Sequence, residues 1–220
     1  MKATLVTETA FQGLRRNAHA DRAVVLAHGA GADMHATTLT TVSDALAAAG
    51  IPSLRFQFPY RSAGRRAPDR APVLAAAVRE AAALLARRTK LPADRVVLGG
   101  RSMGGRIASV VVADVEDPLP AAGLVLLGYP LHPPGKPEQL RVEHLARIAV
   151  PTLFVSGTRD AFGTPPELRR AARRVKGPTA FHWIESGDHG FRTLKSSPTS
   201  TEEVLAGAAA AIVEFVASLE

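Results

Sequence analysis

The sequence predicts an α/β fold: a mostly parallel central sheet flanked by helices on both faces. Two observations carry this. Short aliphatic or β-branched runs alternate with longer Ala-rich segments from residue 23 to the C-terminus, and that alternation is the signature of strands joined by crossover helices. Nor does any stretch read as a linker or any internal repeat appear, so the alternation runs through one unit. In chain order, strands are expected near 23–27 (Ala-Val-Val-Leu-Ala), 53–58, 95–99, 123–128, 152–156 and 180–184. Helices are expected at 37–49, closed by Gly50 and Pro52, then at 72–89, 103–114, 165–175 (opened by Thr164 and Pro165) and 200–218. The first 20 residues are expected to add one or two edge strands. Only about 23 residues separate the strand ending at Gly128 from the one starting at Thr152. No cap domain fits there, and Leu131 to Pro137 reads as a stiff surface loop because proline fixes φ and removes donors.

With 220 residues, 46% hydrophobic and 21% charged, the chain has the composition of one globular domain spanning residues 1–220. Its longest apolar stretches are too short or too interrupted to span a bilayer. Met1 to Val6 lacks a signal-peptide core, so a cytoplasmic location is expected. The absence of cysteine removes thiolate catalysis and Cys-ligated zinc. A net charge of +7 invites a nucleic-acid reading, but Arg outnumbers Lys by 22 to 5 amid abundant Ala. That joint bias resembles GC-rich codon usage, and no nucleic-acid motif accompanies it, so no nucleic acid and no membrane is expected as a partner.

Within this frame Gly100-Arg101-Ser102-Met103-Gly104 matches the G-x-S-x-G pattern of a sharp strand-to-helix turn with a hydroxyl at its tip. A random chain of this Gly and Ser content would show the pattern roughly once in fifteen times, so its surroundings must decide. In parallel sheets the functional loops follow the carboxyl ends of strands. Four such loops hold His28-Gly29-Ala30-Gly31-Ala32, Ser102, Gly157-Thr158-Arg159-Asp160 and Glu185-Ser186-Gly187-Asp188-His189-Gly190-Phe191.

A serine hydroxyl is a poor nucleophile until a base takes its proton. His189 is the expected base, since it follows the last sheet strand in a Gly-bounded loop. His19 and His35 precede the elbow, His132 and His144 follow an earlier strand, and His182 falls inside one. Asp160 is expected to orient the imidazole. Asp114, Glu116, Asp117, Glu138, Glu143 and Glu167 lie in helices or connections, and Asp188 adjoins the histidine. The backbone N–H groups of Ala30 and Met103 are expected to receive the oxyanion. Arg101 should pack or pair under the elbow. Gly31, Tyr129, His132 and Arg61 are weaker candidates for substrate contact, Arg61 because an arginine-dense loop over 59–70 could select anionic groups. No metal motif occurs: H-E-x-x-H is absent, and the Gly-rich stretches lack the endings of phosphate-binding loops. No cofactor is expected.

Taken together, these residues resemble the α/β-hydrolase superfamily over essentially the whole length, in its small, capless, dienelactone-hydrolase-like size range. Residues 28–32, 55–60, 99–106, 128–137 and 157–163 are similar to a bacterial branch of the group that includes a subunit of the animal non-specific-lethal histone-acetyltransferase complex. The resemblance implies a single-domain α/β-hydrolase fold with no cap domain. It also implies serine-hydrolase chemistry and little beyond it; the missing lid leads to the expectation of a carboxylesterase type acting on small or soluble esters or thioesters, and a monomer or homodimer is expected. Dienelactone hydrolases proper use a cysteine nucleophile, and this chain departs from them there. Acyl transfer or perhydrolysis on the same residues, and a non-catalytic interaction module, are the alternatives.

Overall fold

The computed structural model describes residues 4–13 and 20–220, so His19 and part of the N-terminal segment lie outside the described residues. Seven strands form one sheet: β1 (Thr9–Gln12), β2 (Ala23–Ala27), β3 (Ser53–Phe56), β4 (Val96–Arg101), β5 (Gly123–Leu127), β6 (Thr152–Gly157) and β7 (Thr179–Ile184). Their order is β1-β3-β2-β4-β5-β6-β7. Every neighbouring pair is parallel except β1 with β3, the antiparallel edge.

Side-chain alternation along the strands explains the three layers. Val24, Leu26, Val97, Val125 and Val155 point to one face, where α1 (Thr37–Ala48) and α6 (Thr201–Ala217) cover them with Leu39, Leu46, Ala208 and Ile212. Val25, Ala27, Leu98, Leu124 and Leu126 point to the other. There α3 (Ala71–Thr89), α4 (Met103–Val112) and α5 (Pro165–Ala172) close the second core. Capping sets two helix starts. Ser200 with Glu203 opens α6 and Thr164 with Glu167 opens α5, each as a reciprocal capping box.

A short helix, α2 (Pro59–Ser62), interrupts the segment expected to be an arginine-rich loop. Pro59 at its first turn presets φ, and four residues are too few to leave a periodic signal. The β5–β6 connection holds only a 3₁₀ turn at Leu145–Arg147 and no cap. It is less exposed than expected at its start: Tyr129, Leu131 and His132 are buried, and the continuous open stretch runs from Pro134 to Leu140.

His144 in this connection is buried against Ser109, whose hydroxyl lies 2.8 Å from both the Arg106 carbonyl and His144 Nε2. The hydroxyl donates to the carbonyl, so Nε2–H donates to Ser109. Burial, then Arg106 and Arg147, push the His144 pKa down to about 4. The unfolded chain therefore binds a proton that the folded one refuses, and stability is lost as pH falls from about 6.5 towards 4. Urea unfolding should show His144 contributing about 2–3 kcal/mol to the stability difference between pH 7 and pH 4.5. His144→Gln should flatten the profile by that amount; an unchanged slope would remove His144 from the account.

Candidate active site

The strand ends on one side of the sheet bring four loops together. β4 runs straight into the turn at Ser102, whose φ of 50° and ψ of −113° place a non-glycine residue in a strained left-handed region. Only small neighbours permit so tight a bend. A Cβ on Gly100 or on Gly104 would collide with the carbonyl oxygen of Ala27, the last residue of β2. The Ser102 amide is held by the Leu127 carbonyl at 2.8 Å, and its own carbonyl accepts from Arg106 at 3.0 Å as α4 begins. Oγ is left at the tip of the turn.

His189 meets it from the loop after β7. Its Nε2 lies 2.9 Å from Ser102 Oγ, and its Nδ1 lies 2.9 and 2.8 Å from the two carboxylate oxygens of Asp160. Asp160, at 1% exposure, also accepts the Phe162 amide on Oδ1 at 2.8 Å. With Asp160 accepting at Nδ1, the proton sits there and Nε2 faces the serine as acceptor. Phe162 stacks on the imidazole at 3.9 Å between ring centres. Neighbouring Asp188 turns away, its Oδ1 accepting the Gly190 and Arg192 amides at 2.7 and 2.9 Å. The acid and histidine loops are themselves tied: Arg159 N donates to the Gly187 carbonyl and Ser186 N to Thr158 Oγ1, both at 2.9 Å.

Arg101 braces the arrangement from below. It donates to the His189 carbonyl, and its guanidinium carbon stands 4.8 Å over the Phe191 ring. Burial lowers its pKa to about 10, with Asp160 and Asp188 opposing the shift, so it stays charged at neutral pH.

The loop after β2 forms the facing wall. His28 is fully buried; its Nε2 accepts the Phe58 amide at 3.1 Å, so Nδ1 carries the proton and donates to the Gly29 carbonyl at 2.8 Å. Burial lowers its pKa and keeps it neutral. Tyr60 donates to the Ala30 carbonyl at 2.8 Å. These two contacts fix the peptide planes of residues 29–31. The Ala30 amide and the Met103 amide, the first of α4, donate to no group among the described residues.

An open cleft of about 750 Å³ surrounds Ser102 and His189, walled by Gly29 to Ala32, Met103, Phe162 and the Thr37–Thr38 start of α1. Gly31 lines it. Tyr129, His132 and Arg61 do not, which corrects the expectation that they face substrate. Tyr129 is a core residue on Phe154, its hydroxyl donating to the Arg141 carbonyl at 2.7 Å. His132 turns to the Pro133 carbonyl and Glu167. Arg61 lies 4.0 Å from Asp33, and Arg65 pairs with Asp69. The residues not anticipated are Tyr60, Phe162, Arg106 and Arg141. Two of these left a trace in sequence: an aromatic inside a charged loop, and an arginine one turn after the serine. Among the described residues no three His, Cys, Asp or Glu side chains converge to hold a metal, and no helix is long and apolar enough to cross a membrane.

A family model described as an alpha/beta hydrolase domain matches residues 20–217. Among solved structures the chain is similar to a dienelactone hydrolase from Anabaena variabilis ATCC 29413. The two are 22% identical over 90% of this chain and 88% of that one, with a TM-score of 0.67. It is similar too to Est1E from Butyrivibrio proteoclasticus, at 13% identity, 96% and 94% coverage and a TM-score of 0.68. A thermophilic esterase from Thermogutta terrifontis matches at 18% identity, 95% and 93% coverage and a TM-score of 0.64. At these identities the likeness establishes a shared fold.

Proposed function

The chain belongs to the alpha/beta-hydrolase family, and from that premise we propose that it is a serine hydrolase cleaving carboxylic esters or thioesters through an acyl-enzyme on Ser102, His189 and Asp160. The observation that carries the reading is the continuous relay from Asp160 through both imidazole nitrogens to a hydroxyl held on a strained turn. Strain of this kind, about 1–3 kcal/mol, persists where the surrounding structure over-determines it, and it clusters at reacting groups.

In this mechanism Ser102 Oγ attacks the substrate carbonyl carbon while His189 Nε2 takes the hydroxyl proton. The C–O bond forms, and the carbonyl π pair moves onto oxygen. The Ala30 and Met103 amides donate to that oxyanion, as groups whose hydrogen bonds have no other taker. Collapse expels the alcohol or thiol, which leaves with the proton from His189, and Ser102 keeps the acyl group. Water then repeats the sequence, giving its proton to His189 and releasing the acid. Asp160 stabilises the imidazolium without itself being protonated. The open cleft suits short or soluble acyl groups.

Turnover of p-nitrophenyl esters across acyl lengths tests the reading. Hydrolysis with a burst of p-nitrophenol at the shorter acyl lengths is the expected result; no burst and no turnover on any ester would favour a binding module in its place.

A further inference from the structure

Besides Arg101, three guanidinium groups that form no ion pair among the described residues line the same cleft: the part-buried Arg106 and Arg141, and the exposed Arg192 at its rim. Arg106 stands at the start of α4, four residues after Ser102, and lines the cleft with it. Helical side chains lean towards the N-terminus, which carries the Arg106 guanidinium back towards the serine. Its side chain makes no ion pair and no hydrogen bond among the described residues, and its Nε is buried without a partner. Arg141 comes from the β5–β6 connection and is held from three directions. Its amide donates to the Leu131 carbonyl at 2.8 Å, its carbonyl accepts from Tyr129, and its Nη1 donates to the Pro130 carbonyl at 3.1 Å. It too forms no ion pair among the described residues.

The cleft lining holds no aspartate or glutamate to balance them. Arg101 beside them is spent on the His189 carbonyl and Phe191. Burial and the neighbouring Arg106 both push the Arg141 pKa down, which places the two like charges within each other's field. A partly desolvated cation without a counter-charge is costly, and two side by side cost more. Fixing Arg141 through its backbone and through Tyr129 removes the motion that would let it escape to solvent. An anion bridging the pair offsets both costs through short, charge-assisted hydrogen bonds.

We infer that Arg106 and Arg141 bind a second, anionic group of the substrate, a carboxylate or a phosphate-like group, carried about one helical turn from the scissile carbonyl. This rests on the hydrolase reading for the reaction, but not for the binding. A four-residue step along α4 rises about 6 Å, roughly the reach of a three-methylene spacer. In the earlier candidate for anion selection, the arginine-dense loop, Arg61 and Arg65 lie instead beside Asp33 and Asp69, and none of residues 59–70 lines the cleft.

Three matched esters test it: monoethyl glutarate, ethyl 4-phosphonobutyrate and the neutral ethyl 4-carbamoylbutyrate. The protein should favour at least one anionic ester over the neutral one by tenfold or more in kcat/KM, and which one identifies the group. In Arg106→Gln and in Arg141→Gln that ratio should fall about 10- to 100-fold, towards one. Arg61→Gln should leave it where it was. A wild-type ratio near one overturns the inference, as does a ratio that survives both cleft substitutions or collapses only in Arg61→Gln. If none of the three esters is turned over, p-nitrophenyl ester turnover decides the hydrolase reading, and calorimetry decides the binding separately. Glutarate or inorganic phosphate should then bind the wild type at least tenfold more tightly than Arg106→Gln, and equal affinities overturn the inference.

Discussion

Ser102→Ala is expected to abolish labelling by a fluorophosphonate probe and to lower ester turnover by about 10⁴- to 10⁶-fold. The probe reports one event: Oγ attacks phosphorus, fluoride leaves, and His189 takes the proton. No other hydroxyl among the described residues has an imidazole 2.9 Å away that is itself seated on a buried carboxylate. Residual catalysis from the free Ala30 and Met103 amides should remain above the rate in water, because those donors do not depend on the serine. A folding defect is separable. Ser102 pays for its φ of 50°, which glycine tolerates, so Ser102→Gly should lose the label while melting no lower than the wild type. Labelling that persists in either variant would sink the assignment of Ser102.

Asp160→Asn is expected to cost about 10⁴-fold in kcat with little change in KM. The reason lies in the Phe162 amide, which donates to Oδ1 at 2.8 Å and cannot turn away. An asparagine must set its carbonyl oxygen there and so presents its NH₂ to His189 Nδ1. Two donors cannot face each other, so the imidazole proton moves to Nε2. The nitrogen facing Ser102 is then no longer able to accept a proton. The isosteric amide keeps the packing, and an unchanged thermal midpoint would separate this tautomer effect from a structural one. Activity within tenfold of the wild type would show that Asp160 does not orient the base.

Most of the fold was legible because parallel strands covered on both faces leave an unambiguous apolar record. The strand expected at 23–27 is found there, and those expected at 53–58 and 152–156 shift only at their ends, to Ser53–Phe56 and Thr152–Gly157. Helix α4 stops at Val112 and α5 at Ala172, shorter than expected, since helix ends fray and their last residues carry no periodic signal. Helix α2 escaped notice for lack of length.

At the site, Ser102, Asp160 and His189 were recognisable because each follows a different predicted strand, and parallel topology puts strand ends on one edge. Side-chain direction was not recognisable in the same way. Tyr129 also follows a strand end, yet its ring turns into the core against Phe154 and its hydroxyl reaches back to Arg141. Arg61 sits in a loop at the correct edge, yet lies close to Asp33 outside the cleft.

The sequence by itself therefore determined the layered α/β architecture, the elbow and which three strand ends carry Ser102, Asp160 and His189, because these depend on local chemistry and on periodicity along the chain. Tertiary structure alone decided which arginines face the cleft, which aromatic holds the Ala30 peptide and which carbonyl Arg101 braces. Those contacts join residues 30 to 88 positions apart, such as Tyr60 with Ala30 and Arg101 with His189. They exist only once packing has set the angle at which each loop leaves the sheet.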